Sequence, residues 1–334
     1  MGRQAARVAL EMGDSHRRAW MPLVTALLAI TLVGCGSDSE KERPASRLDP
    51  LLMKLPTEGS FGNEIVAMDL DEARRQLGLP QDADPTRLSF KQLGRGRGRF
   101  LYVAQAPLAG LLNPAPAIRN SPVAQTIDIG AIGAVAATVV HGPEEVTAID
   151  TDQPFELIAR RLERLGLTRE GAVLVDEDPA RVFPSFSVVA DAGDGIVVLA
   201  TTREAALAAL DRDELSPAAQ VVRTVEGVIR RGVSLSSDDE SCVRSFGLGQ
   251  DLVPPEGEVL VRVDGEADAA DFTVPPLRDD VERVVRFGAP VADGDEVSLP
   301  VTYTPGGIVD QVLISTGPIG LLYDTPRDKF YDCG

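Results

Sequence analysis

SFSVVADAGDGIVVLA, residues 185–200, carries the clearest structural signal in the chain. Two apolar runs flank Asp194-Gly195. An Asp-Gly pair in that position predicts a β-hairpin, because a two-residue turn needs left-handed backbone at both places. Hairpins join antiparallel neighbours, whereas parallel strands need long crossovers. This stretch therefore sets the expected sheet type for what surrounds it.

Upstream, GAVLV (171–175) reads as a strand, and EEVTAIDTD (144–152) as another with two aspartates at its end. PFELIARRLERLG (154–166) follows, with Phe155, Ile158, Leu162 and Leu165 on one face at helical spacing. Asp152 is placed to cap this helix, Pro154 sits in its first turn and Gly166 is placed to end it. The same plan occurs earlier: NEIVAMDL (63–70) is a strand, and DEARRQLG (71–78) a short helix with Asp69 or Asp71 as cap and Gly78 as terminator. The two stretches align as A-M-D-L-D…A-R-R-Q-L-G-L and A-I-D-T-D…A-R-R-L-E-R-L-G-L. That is either an internal duplication about 80 residues apart or a chance likeness of two Arg-rich amphipathic helices.

Downstream, Thr201 and Glu204 make a capping box for EAALAAL (204–210), and Ser216-Pro217 opens a helix expected to run through AAQVVRTVEGVIRR (218–231). SSDDES (236–241) is a polar break. After it come strand-like runs at EVLVRV (258–263), VERVVRF (281–287), DEVSLPVTYT (295–304) and VDQVLIST (309–316). The expected class is α+β: mainly antiparallel sheet with helices on one face over residues 59–235, followed by a smaller β-rich domain over 236–334.

The amino-terminal end has a different character. Arg17 and Arg18 precede AWMPLVTALLAITLVG (19–34), sixteen residues without a charge. A helix needs roughly 20 to span a bilayer, so this layout reads as an export signal. It ends in Leu32-Val33-Gly34-Cys35, an aliphatic residue three before a cysteine and a small residue directly before it. This resembles the lipobox of bacterial lipoproteins. The resemblance implies a signal peptide over 1–34, cleavage before Cys35, and diacylglycerol on the Cys35 sulfur with acylation of the new amino terminus. Two or more acyl chains give stable anchoring where one gives only reversible binding. Residues 35–58 then read as the lipidated cysteine and a flexible polar tether.

Removing residues 1–34 takes away four arginines and two acids, so the net charge moves from −18 to −20. That balance argues against nucleic-acid partners, which require neutralising Lys and Arg. It also leaves the lipid anchor as the expected membrane contact. Only Cys242 and Cys333 then remain; an even pair in an oxidising setting reads as a disulfide, with two separate buried thiols as the alternative.

Signatures of chemistry are sparse. His141 is the one histidine beyond the leader, and no G-x-S-x-G, H-E-x-x-H, C-x-x-C or phosphate-cradling loop occurs. Arg95, Arg97 and Arg99 in GRGRGRF (94–100) fall on one side of an extended strand, a candidate grip for an anionic group of a partner, or else a turn whose arginines pair with the protein's own acids. Acid clusters at 176–178, 238–240 and 293–296 match no twelve-residue calcium loop and read as solvated surface, with no metal expected. The single tryptophan, Trp20, lies in the leader, which discourages an aromatic sugar platform. A hydrophobic ligand groove lined by residues 127–140 and LAGLLNPAPAI (108–118) is the remaining small-molecule option.

The expected function is a membrane-anchored extracytoplasmic lipoprotein, non-catalytic and without cofactor, that binds an envelope protein or a small ligand. The alternatives are a substrate-binding lipoprotein of a transporter and a carboxylate-dependent envelope hydrolase.

Overall fold

The structure, a computed structural model, describes residues 46–56, 63–84, 126–139, 145–177, 186–235, 241–274, 279–304 and 331–333. Ala45–Gly334 forms one compact unit. Its framework is a single antiparallel sheet. In chain order the strands are β1 (Asn63–Asp69), β2 (Ile132–Thr138), β3 (Val146–Thr151), β4 (Thr168–Glu170), β5 (Val173–Val175), β6 (Val188–Gly193), β7 (Ile196–Ala200), β8 (Ile229–Ser234), β9 (Val243–Gln250), β10 (Glu256–Val263), β11 (Val285–Phe287), β12 (Val291–Asp293) and β13 (Glu296–Tyr303). They lie side by side as β11-β13-β10-β9-β8-β1-β2-β3-β7-β6-β5-β4, with β12 also on β13.

The opening hairpin is β6–β7. Asp194 and Gly195 both have positive φ, 51° and 81°, and Gly193 pairs with Ile196 across the turn. The antiparallel α+β class is thus as expected. The helices are α1 (Asp49–Leu52), α2 (Leu70–Gln76), α3 (Phe155–Arg164), α4 (Arg203–Leu210), α5 (Pro217–Thr224) and α6 (Asp279–Glu282). They do not share one face. Ile158, Ala159 and Leu162 of α3 and Leu70 and Ala73 of α2 join a core with Met68, Val135, Ile149, Val197 and Leu199. Leu51 and Leu52 of α1, Ala206 and Ala209 of α4, and Ala218, Ala219 and Val222 of α5 join another with Ala67, Ala134, Ala148 and Val198. Successive strand residues alternate between these clusters, so the middle of the sheet is covered on both sides. The sequence shows why: β7 is five consecutive buried apolar residues, a pattern of two-sided burial.

Two boundaries differ from expectation. Residues 46–56 are folded, not tether. Leu48, Leu51, Leu52 and Leu55 stand at i, i+3, i+4 and i+7 and are buried beside β2, β3 and α5. Lys54 Nζ donates to the carbonyls of Leu210 and Arg212 at 3.1 Å, capping the carboxy-terminal end of α4. And the β-rich segment is not a sheet of its own: β8 and β9 pair over six residues across the proposed division at 236. Its distinct feature is a third core of Val233, Phe246, Leu248, Val259, Val261, Leu299 and Tyr331, among others.

Helix α5 ends at Thr224, short of the expected 231. Gly227, at φ 129°, turns the chain, and Ile229–Ser234 is strand β8 instead. Its cap is as read: Ser216 Oγ accepts from Ala219 N at 3.2 Å. For α4 the cap is Thr202, not Thr201, accepting from Ala205 N at 3.1 Å. Asp69 caps α2, accepting from Glu72 N at 2.9 Å, whereas α3 starts at Pro154 without a side-chain cap from Asp152.

Candidate functional site

The matching aspartates of the two strand-helix stretches, Asp69 and Asp150, stand level with each other on either side of β2. Strand β2 lies between β1 and β3, and its residues pair with both: Ala136 with Ala67 and Ala148, Val135 with Met68 and Ile149, Ala134 with Asp69 and Asp150. Corresponding positions of A-M-D and A-I-D therefore stand at one level of the sheet. Each strand is followed by a helix ended by a left-handed glycine, Gly78 at φ 63° and Gly166 at φ 103°. Each glycine is followed by a leucine whose N–H returns to the carbonyl five residues back, Leu79 to Arg74 and Leu167 to Leu162.

A charged node fills the gap between the strand ends. The Arg47 guanidinium donates Nε to Asp150 and Nη1 to Asp71, lying over Gly133, where a Cβ would collide with it. Gly133 is the extra residue of a bulge in β2. Burial alone would lower the Arg47 pKa, but the bonds and charges of Asp150 and Asp71 outweigh it and raise it above the ordinary value. Beneath, Arg74 is fully buried. Its Nη1 donates to Ile132 O at 2.7 Å and Asp71 Oδ1 at 2.8 Å, its Nη2 to Ile129 O at 3.1 Å and its Nε to Ala83 O at 3.2 Å. From the side of α3, Gln153 accepts from Asp128 N at 2.7 Å and donates to Thr126 O at 2.8 Å. The segment entering β2 is thus held from both strand-helix stretches.

Asp69 lies beside the node and is partly buried. Burial raises its pKa, opposed by the Glu72 N–H and by the Arg47 charge. Asp71 and Asp150 accept directly from arginines. Chemically the node pairs arginines with carboxylates and fixes residue 47 to the strand ends. Among the described residues, no group of three or more His, Cys, Asp or Glu is arranged to hold a metal ion.

The candidate residues read from sequence are distributed as follows. Cys35, the arginines Arg95, Arg97 and Arg99, and His141 lie outside the described residues. So do residues 108–118 of the proposed groove, and β2, its other wall, is a central strand with buried residues in both flanking cores. Cys242 and Cys333 are bonded, with Cα atoms 5.8 Å apart. The neighbouring residues reinforce this junction: Asp268 N donates to the Tyr331 hydroxyl and Asp332 N to Asp271 O, both at 3.0 Å, and Phe272 bridges Tyr331. The Arg47–Arg74 node was not singled out from sequence. The available signal was the pair of matching D-x-D ends.

No family model and no curated protein matches the chain. Among solved structures, TP0453 in crystal form I aligns with TM-score 0.40 and 11% identity over 83% of this chain and 98% of that one. Its crystal form III gives TM-score 0.42 and 11% identity over 80% and 98%.

Proposed function

We propose that the chain is a lipoprotein anchored through Cys35 on the extracytoplasmic side of a bacterial membrane, where its folded body has a non-catalytic binding or envelope-interaction role. One observation carries the reading: Leu32-Val33-Gly34-Cys35 closes a short basic and apolar leader. The Cys242–Cys333 bond supports it, because such bonds persist in oxidising compartments outside the cytosol. Asp71 and Asp150 are both engaged with Arg47, which is in keeping with the non-catalytic part. One continuous sheet through the described residues gives no support to the transporter alternative, which wants two lobes around a cleft.

The test compares the full-length chain with its Cys35→Ser variant, expressed in a bacterium. Mass spectrometry of the native chain should find an amino-terminal, diacylglyceryl-modified Cys35 in the membrane fraction, and the variant should lose the modification. A free Cys35 thiol or an uncut leader would overturn the anchor. For the role, cross-linking on intact cells should recover a specific envelope partner. Turnover of a substrate by the purified body would overturn the non-catalytic reading.

A further inference from the structure

Three residues lie together at one end of the β9–β10–β13 layer. Gln250 ends β9 and is 1% exposed; among the described residues neither its amide oxygen nor its amide nitrogen has a hydrogen-bond partner. Tyr303 ends β13 and is 5% exposed, and among the described residues its hydroxyl also has no partner. Between them, on β10, is Gly257, which pairs with Gln250. A Cβ on Gly257 would lie 3.2 Å from the Tyr303 hydroxyl, and Gln250 is the cross-strand partner of Gly257, so the Gln250 side chain leaves its strand on the face over which that hydroxyl lies. Tyr303 is fixed there by its own backbone, whose N–H donates to Pro255 O at 2.9 Å. Burial raises the phenol's pKa, so it remains a protonated donor.

Buried amides and hydroxyls in folded proteins are paired with protein or with ordered water, and leaving one unpaired is costly. Gln250 and Tyr303 do not bond each other. Both are uncharged, and each can donate and accept. Their shared requirement is a small neutral molecule that does the same, within reach of two side chains whose strands are separated by β10.

We propose that Gln250 and Tyr303 bind one internal water molecule over Gly257. The water accepts from the phenol or the amide nitrogen and donates to the amide oxygen, which meets the two to four bonds usual for buried water. It braces β13 to β9 across the strand between them. Gly257 is required because any larger residue would occupy the approach and crowd the Gly249 carbonyl as well.

The experiment uses the full-length chain and two near-isosteric substitutions, Tyr303→Phe and Gln250→Met. Oxygen-17 magnetic relaxation dispersion, which counts long-lived internal waters, should show one fewer in the double variant than in the native chain. Tyr303→Phe alone should lower Tm by about 2–4 °C, since it strips a bridged hydroxyl. The two substitutions should be non-additive in a double-mutant cycle because they share one molecule. Equal water counts would overturn the proposal, as would a Tyr303→Phe variant whose Tm is unchanged or higher, the result for a hydroxyl that had no partner. Should the double variant fail to fold, Tyr303→Phe, which removes a single oxygen, gives both readouts.

Discussion

Counted back from the glycine that ends each helix, Arg74 and Leu162 occupy corresponding places, each supplying the carbonyl that closes its helix, and both are fully buried. Leu162 needs only apolar neighbours. Arg74 instead serves three backbone carbonyls and a carboxylate, all from within the fold. Arg74→Leu should therefore destabilise by about 3–5 kcal/mol in chemical denaturation despite the leucine at the matching position, because the carbonyls of Ile129 and Ile132 lose their donor. Asp69 gives a pH signature. Its folded pKa is raised, so its contribution to stability is most favourable when protonated and declines as pH rises through the carboxylate range. Asn keeps the helix cap. Tm of Asp69→Asn should match that of the native chain well below pH 4 and exceed it at neutral pH, as thermal melts across that range would show. A variant equally or less stable at neutral pH would contradict this assignment.

Helix α5 lies on strands stripped of side chains. Gly232 and Gly247 are cross-strand partners beneath it, and Gly249 lies beside the chain that leaves it. A Cβ on Gly249 would collide with the Glu226 carbonyl oxygen, which belongs to backbone and cannot swing away. Gly249→Ala should cost about 3 kcal/mol or prevent folding, measured by urea titration. The same glycines explain why β9 escaped sequence reading: VRSFGLGQ lacks the β-branched density of a strand, and its glycines pack under a helix that lies well before it in the chain. Elements whose signals are local were legible. The Asp194-Gly195 hairpin, the Ser216 cap, and the glycine ends of α2 and α3 all rest on backbone preferences of a few neighbouring residues. Leu48, Leu51, Leu52 and Leu55 also carried a helical period, but inside a charged, proline-containing stretch that resembles linker. The Arg47 node was illegible for another reason. Its partners are 24 and 103 residues away, and only the sheet order brings them together.

At the scale of the whole molecule, the Cys242–Cys333 bond closes a 91-residue separation and holds residues 331–333 on the third core. In the chain-entropy model such a loop is worth about 4–5 kcal/mol. A Cys333→Ser variant should lose a large part of that in equilibrium unfolding, with amide exchange accelerating first at Tyr331 and Phe272. An unchanged midpoint would mean the clasp holds without its covalent bond. Among the described residues the sheet ends are guarded differently: β4 is three exposed residues bearing Arg169 and Glu170, and the far side of β13 is divided between two three-residue strands. Short, charged edges discourage strand addition by another chain. The placement of α1 has a mechanical meaning. Traction on the backbone at Ser46 first meets the two ion pairs of Arg47, then four leucines wedged against β2, β3 and α5. Load from that side enters at the centre of the sheet, where many strands must shear together, instead of at a rim from which one could be unzipped.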